Sequence, residues 1–230
     1  MPSEVHDEQP AMTADLFADL FNEAPPDWRE DLAPGAVVLR GFALPMVPAL
    51  LAGVEAVTAS APFRHLVTPG GQTMSVAMSN TGALGWVSDR RGYRYDATDP
   101  QTGRPWPAMP AAFAQLALDA AHAAGFDGFT PQACLINRYA IGARLSLHQD
   151  KDELDYDHPI VSVSLGLPAV FLFGGFERSD RQARIPIAHG DVVVWGGPSR
   201  LRYHGVQPIK PGVHPLLGDV RINLTFRKVR

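Results

Sequence analysis

Hydrophobic residues change their spacing along this chain at about Cys134. Before that point they recur at helical intervals in two stretches, Leu44 to Ala59 and Pro110 to Ala124. Pro45 sits in the opening turn of the first and Gly125 closes the second, placements that favour a helix start and a helix stop. Downstream the pattern turns to short runs, LINRY, LSLHQD, IVSVSLG, VFLFGGF, DVVVWGG and RINLTFRK, separated by Gly, Pro and Asp. Such runs predict the strands of a jelly roll or small barrel. Two earlier segments also carry strand signals: AVVLRGF after Pro34-Gly35, and LVTPGGQTMSVAMS, a hairpin turning at Pro69-Gly70-Gly71. WVSDRRGYRY, which follows, reads as an aromatic, arginine-rich loop. Near the N-terminus, Leu16, Phe17, Leu20 and Phe21 share one stripe of a short predicted helix, Thr13 to Glu23.

Two of the strand runs carry polar residues where chemistry is possible. In RINLTFR the residues Arg221, Asn223, Thr225 and Arg227 share one face, and Ile222, Leu224 and Phe226 share the other. The ordinary arrangement puts such a polar face in water. Inside a barrel, two arginines would instead require anions, because an unpaired buried charge is costly. A small dicarboxylate would satisfy both through their planar forks. Asn137 and Tyr139 alternate likewise on LINRY.

In LSLHQD, His148 and Asp150 are two residues apart, so on an extended backbone both project to one side. With a second histidine they make the two-His, one-carboxylate triad that holds Fe(II) on one face and leaves the other open. With eight histidines in the chain, a lone H-x-D carries little weight, and a second match, His189-x-Asp191, resembles turn chemistry before a strand. His204, in RLRYHGVQP, is the natural third ligand; by itself it reads as an ordinary core or surface histidine.

Composition narrows the setting. An apolar fraction of 46% and a charged fraction of 19% describe a globular chain. Its longest apolar stretch, Ala43 to Val54, is broken by two prolines and too short for a bilayer, and the N-terminus lacks a signal-peptide pattern. The single cysteine, Cys134, lies in the apolar run ACLI and excludes an internal disulfide, which suits a cytoplasmic protein. The net charge of −4 conceals an asymmetry: residues 1–31 hold nine acids and one base, leaving 19 bases against 15 acids in 32–230. Clustered arginines (Arg90, Arg91, Arg94; Arg178, Arg181, Arg184) allow a local phosphate footprint, though a solvated face fits charge alone.

NRYAIGARLSLHQDKDE, PIVSVSLGLPAVFLFGG, HGDVVVWGGPSRLRYHGVQP and RINLTFR together resemble the AlkB family of Fe(II)/2-oxoglutarate dioxygenases, its bacterial alkylation-repair members most closely. The likeness runs upstream through TPGGQTMSVAMSNTGALGW and DPQTGRPWPAMP, covering about residues 34–228. It implies an α+β, mainly β fold: a double-stranded β-helix (jelly-roll) core with flanking N-terminal helices and a β-hairpin substrate lid at about 63–98. Residues 1–31 would be an acidic N-terminal extension and 32–230 the dioxygenase domain.

The resemblance assigns iron to His148, Asp150 and His204. It assigns 2-oxoglutarate to Asn137, Tyr139, Arg221, Asn223 and Arg227, with Arg221 at the distal carboxylate and Arg227 near the iron end. The implied reaction is O2-dependent oxidative demethylation of 1-methyladenine and 3-methylcytosine in single- or double-stranded DNA, and in RNA, releasing formaldehyde, succinate and CO2. Trp86 would stack on the flipped base opposite His148, and Asp152 would meet the base's positive charge. Thr68, Met78, Tyr93 and Tyr95 would form the lid, with Arg178 nearby. A monomer with no membrane partner is expected. Gln72 stands where the family suggests an aromatic residue at the hairpin tip, and Ile141 where it suggests a proline. Two competing readings are a dioxygenase acting on a protein or small molecule, and a non-catalytic nucleic-acid- or metal-binding jelly roll.

Overall fold

The computed structural model describes residues 28–230, so the expected helix Thr13 to Glu23 and most of the acidic arm lie outside the described residues. The chain begins with β1 (Arg29–Ala33) and β2 (Ala36–Leu39). A 3-10 turn, Leu44–Met46, leads into α1 (Val47–Ser60), because Pro45 favours a tight first turn. Next come β3 (Arg64–Val67), β4 (Thr73–Gly82), β5 (Gly85–Asp89), β6 (Gly92–Asp96) and α2 (Ala111–Ala123). The remaining strands are β7 (Ala133–Tyr139), β8 (Leu145–His148), β9 (Ile160–Gly166), β10 (Ala169–Phe173), β11 (Ala183–Ile187), β12 (Val192–Trp195), β13 (His204–Val206) and β14 (Arg221–Arg227).

Eight strands form one sheet in the order β1-β2-β12-β9-β14-β7-β4-β3, and four form a second, β11-β10-β13-β8. β14 is central, antiparallel to both β9 and β7. All seven of its residues are buried, so its polar face lies inside the protein and not in water. Its apolar face, Ile222, Leu224 and Phe226, joins Val161, Val163 and Ile136 in a core roofed by Leu50 and Val57 of α1 and Phe113 and Leu116 of α2. Burying each such side chain stabilises by about 1.5–3 kcal/mol. The two helices approach closely at Gly53, where an added Cβ would lie 2.6 Å from the Phe113 ring. A second core, including Phe171, Phe173, Ile185, Trp195 and Val206, fills the space between the sheets.

Two segments depart from the sequence reading. The expected loop WVSDRRGYRY is a two-stranded hairpin, β5 with β6, pairing Trp86 with Tyr95 and Ser88 with Tyr93. Gly92, at φ 118°, takes the turn, and Asp89 accepts hydrogen bonds from Arg91 and from Arg94 on the returning strand. Those ion pairs let a charge-rich segment pair as a sheet. The boundary drawn from composition at 31/32 also falls inside β1. Arg29, Glu30 and Asp31 pair with Leu39, Val38 and Val37, and Glu30 forms an ion pair with Arg40.

Candidate active site

β8 and β13 place His148 and His204 as register partners on the smaller sheet. Their ring centroids are 4.4 Å apart. Asp150, just past β8, lies with Oδ1 3.6 Å from Nε2 of His148 and Oδ2 3.6 Å from Nε2 of His204. One ligand atom from each of the three lies within 4.8 Å of the others. Each imidazole donates through Nδ1 to a carbonyl two residues upstream, Ser146 at 2.9 Å and Arg202 at 3.0 Å. That fixes the tautomer and leaves both Nε2 lone pairs free for a metal. Arg227 donates to Asp150 Oδ2 from Nη2 at 2.9 Å and Nε at 3.2 Å. Burial opposes the Asp150 charge, yet Arg227 and the two histidines hold its carboxyl well below the usual range.

The competing H-x-D is structural. Asp191 accepts from Arg40 Nη1 at 2.8 Å and from the backbone N–H of Gly41 and Ala188, each at 2.9 Å. His189 accepts from Gly166 N–H through Nδ1 at 2.9 Å. Its carboxylate and ring are thus engaged in holding turns together.

Beside the triad, Tyr139, Ser162, Phe171, Trp195, Arg221 and Asn223 line a cavity that also reaches Arg227. Arg221 is 1% exposed. It donates to Ser164 Oγ at 2.9 Å and lies over the Tyr139 ring at 4.9 Å, but its Nε and Nη1 find no partner among the described residues. Burial pushes its pKa down. Two orphaned guanidinium donors in a buried cavity are costly unless an anion fills it. Asn223 is held by Ser162 and Val163 and accepts from Asn137 at 3.1 Å, while Asn137 Oδ1 has no hydrogen-bond partner among the described residues. With Arg221 at one end and the triad with Arg227 at the other, the donor set fits a small dicarboxylate chelated to a metal.

At the rim, Trp86 Nε1 donates to Asp152 Oδ2 at 2.8 Å, and its ring stacks on Tyr93 at 5.5 Å with 13° between planes. Tyr95 points into the protein and donates to Glu153 at 2.6 Å. Met78 is buried on β4 as register partner of Asn137, and it also walls a separate cavity with Arg64, Asp99 and Trp106. Thr68 Oγ1 accepts from Gln72 N–H at 3.1 Å, bracing the hairpin tip. Arg178 is exposed on the loop after β10. Trp86 therefore contacts both Tyr93 and Asp152, whereas Thr68 and Arg178 make no hydrogen bond to that group.

Sequence reasoning missed Glu153 and Arg200. Glu153 is 3% exposed and receives Tyr95, Arg200 Nη2 at 3.2 Å and Arg227 Nε at 3.3 Å. Arg200 Nη1 also donates to the Asp150 carbonyl at 2.7 Å. The two arginines and two carboxylates form one buried network that joins the β5–β6 hairpin to the triad.

Residues 35–227 match the model of the 2OG-Fe(II) oxygenase superfamily. The alpha-ketoglutarate-dependent dioxygenase AlkB of Salmonella typhimurium strain LT2 is 62% identical over 93% of this chain and 97% of its own length. The nucleic acid dioxygenase ALKBH1 of Mus musculus is 35% identical over 57% of this chain and 33% of its own length. The solved structure of OsALKBH1 superposes with a TM-score of 0.76 at 30% identity, covering 87% of this chain and 99% of that one.

Proposed function

The chain belongs to the 2OG-Fe(II) oxygenase superfamily, in its AlkB family, and from that membership we propose that it repairs nucleic acid by oxidative demethylation of alkylated bases, 1-methyladenine and 3-methylcytosine first. It is an Fe(II)- and 2-oxoglutarate-dependent dioxygenase. With O2, the bound metal and co-substrate supply the oxidation that turns an N-methyl group into N-hydroxymethyl, while 2-oxoglutarate leaves as succinate and CO2. The hydroxymethyl group then separates as formaldehyde and the base regains its N–H or lone pair.

His148, Asp150 and His204 hold the iron. Arg221, assisted by Tyr139, takes the distal carboxylate of 2-oxoglutarate, and Asn137 and Asn223 orient it. Arg227 keeps Asp150 ionised. Trp86 and Tyr93 stack on the extruded base, and Tyr95 ties their hairpin to Glu153. Thr68, Met78 and Arg178 shape the approach. The observation that carries the reading is Asp152: an exposed carboxylate, two residues from Asp150, already in contact with the aromatic lid. A carboxylate there favours a base made cationic by methylation.

Residues 32–230, with β1 added, act as one catalytic domain behind the acidic arm. A monomer is the proposed state. No described helix is long and apolar enough to cross a membrane, and we place the enzyme in the cytoplasm.

Incubating the protein with Fe(II), ascorbate, 2-oxoglutarate and methylated DNA or RNA oligonucleotides, read by mass spectrometry, tests this. Loss of the methyl mass with matching succinate is expected. Succinate formation without any base demethylation would overturn it in favour of a protein or small-molecule substrate.

A further inference from the structure

The loop joining β10 to β11 leaves the smaller sheet beside a proposed metal ligand. Phe173 pairs with His204 across the ladder. Gly174 N–H then donates to Tyr203 O, and Tyr203 N–H donates to Gly175 O, each at 2.8 Å. The next residue, Phe176, is 51% exposed.

Arg202 lies beneath it. Its guanidinium carbon is 5.2 Å from the Phe176 ring and 5.7 Å from the Phe173 ring, and Nη1 donates to Gly174 O at 2.8 Å. A cation held against both rings in this way supports Phe176 from one side. Asp180 closes the loop by accepting from Glu177 N–H at 3.0 Å. On the same loop Arg178 and Arg181, and on β11 Arg184, are exposed and make no side-chain hydrogen bond or ion pair with the described residues. A supported aromatic face on a loop with exposed guanidinium groups is the pairing that single-stranded nucleic acid selects, the ring for a base and the cations for phosphates.

We propose that Phe176, backed by Arg202, is a stacking platform for an unflipped nucleobase near the lesion, on the strand that also crosses Arg178 and Arg181. The proposal rests on the nucleic-acid reading above. Phe176 lies three residues beyond Phe173, the register partner of His204, where the chain has left β10 and bends. A ring on the loop outside the triad cavity, whose lining does not include it, suits a neighbour of the base undergoing reaction.

The test is fluorescence anisotropy of the full chain with labelled single-stranded oligonucleotides carrying one 1-methyladenine. Phe176→Ala should weaken binding roughly 5- to 100-fold, the range of one base–aromatic stack, and Phe176→Trp should restore it. On an oligonucleotide with abasic residues at the three positions on each side of the lesion, wild type and Phe176→Ala should bind alike. Equal loss on both oligonucleotides, or no loss on either, would overturn the platform while leaving the demethylase reading intact. Failure of the wild type to bind any methylated oligonucleotide would overturn both.

Discussion

Trp86 and Asp152 hold each other at the rim, the indole N–H donating to the carboxylate at 2.8 Å. The two residues have opposite proposed tasks, one stacking on a base and one meeting its charge. On those proposed tasks, an incoming cationic base would compete with the indole for Asp152.

Asp152→Asn keeps an acceptor for Trp86 and removes only the charge. We expect kcat/KM on a 1-methyladenine oligonucleotide to fall about tenfold, a loss of ~1.4 kcal/mol, with much less effect on the neutral lesion 3-methylthymine. Equal losses on the two substrates would show that Asp152 positions the lid without sensing charge.

Glu153 should behave as the anchor of a buried network. Glu153→Gln leaves Arg200 and Arg227 short of charge inside the protein, and removing one partner of a buried ion pair costs about 3–5 kcal/mol. Tyr95→Phe deletes one hydroxyl, for roughly 0.5–1.5 kcal/mol. A double-mutant cycle on urea unfolding should give a coupling above about 0.5 kcal/mol; simple additivity would mean the hairpin and the triad are energetically independent.

Asp150 and Asp191 make a matched pair of controls. Asp150→Ala should abolish Fe(II) binding measured by metal titration. Asp191→Ala should keep it, while losing about 3 kcal/mol of stability because Arg40 and two backbone donors are stranded. The reverse result would transfer the metal to the second H-x-D.

His189 carries a pH signature. Its Nδ1 must stay unprotonated to accept from Gly166, and burial, with the His214 ring tilted against it at 4.4 Å, lowers its pKa below the usual histidine value. The neutral ring's contribution is thus complete above about pH 6.5. It is lost as pH falls from there through the lower folded pKa, by at most ~1.4 kcal/mol per pH unit. Thermal melts should show Tm declining more steeply below pH 6.5 in the wild type than in His189→Asn. Parallel curves would rule the linkage out.

β14 could be read from the sequence because its two faces differ in chemistry, three apolar residues against four polar ones, and alternation is a local signal. His148-x-Asp150 was visible for the same reason. The β5–β6 hairpin was hidden because its charged turn resembles a solvated loop until Asp89 is seen to bind Arg94. Glu153 was hidden more deeply. A glutamate reads as surface unless its cations are known, and both Arg200 and Arg227 come from distant parts of the chain. Periodicity reports which face a residue occupies, and it is silent about partners that only folding brings together.

The position of β14 also governs how the protein is made. Four strands, β1-β2-β12-β9, stand on one side of it and three, β7-β4-β3, on the other, and all seven emerge from the ribosome first. Until Arg221 to Arg227 insert, β9 and β7 expose unpaired edges to any neighbouring chain. Closure of such a sequence-distant pairing is slow, and it is the step most open to aggregation. The strand that supplies both arginines is thereby also the clasp of the nascent fold, and a chain halted before Arg221 is expected to accumulate in the insoluble fraction.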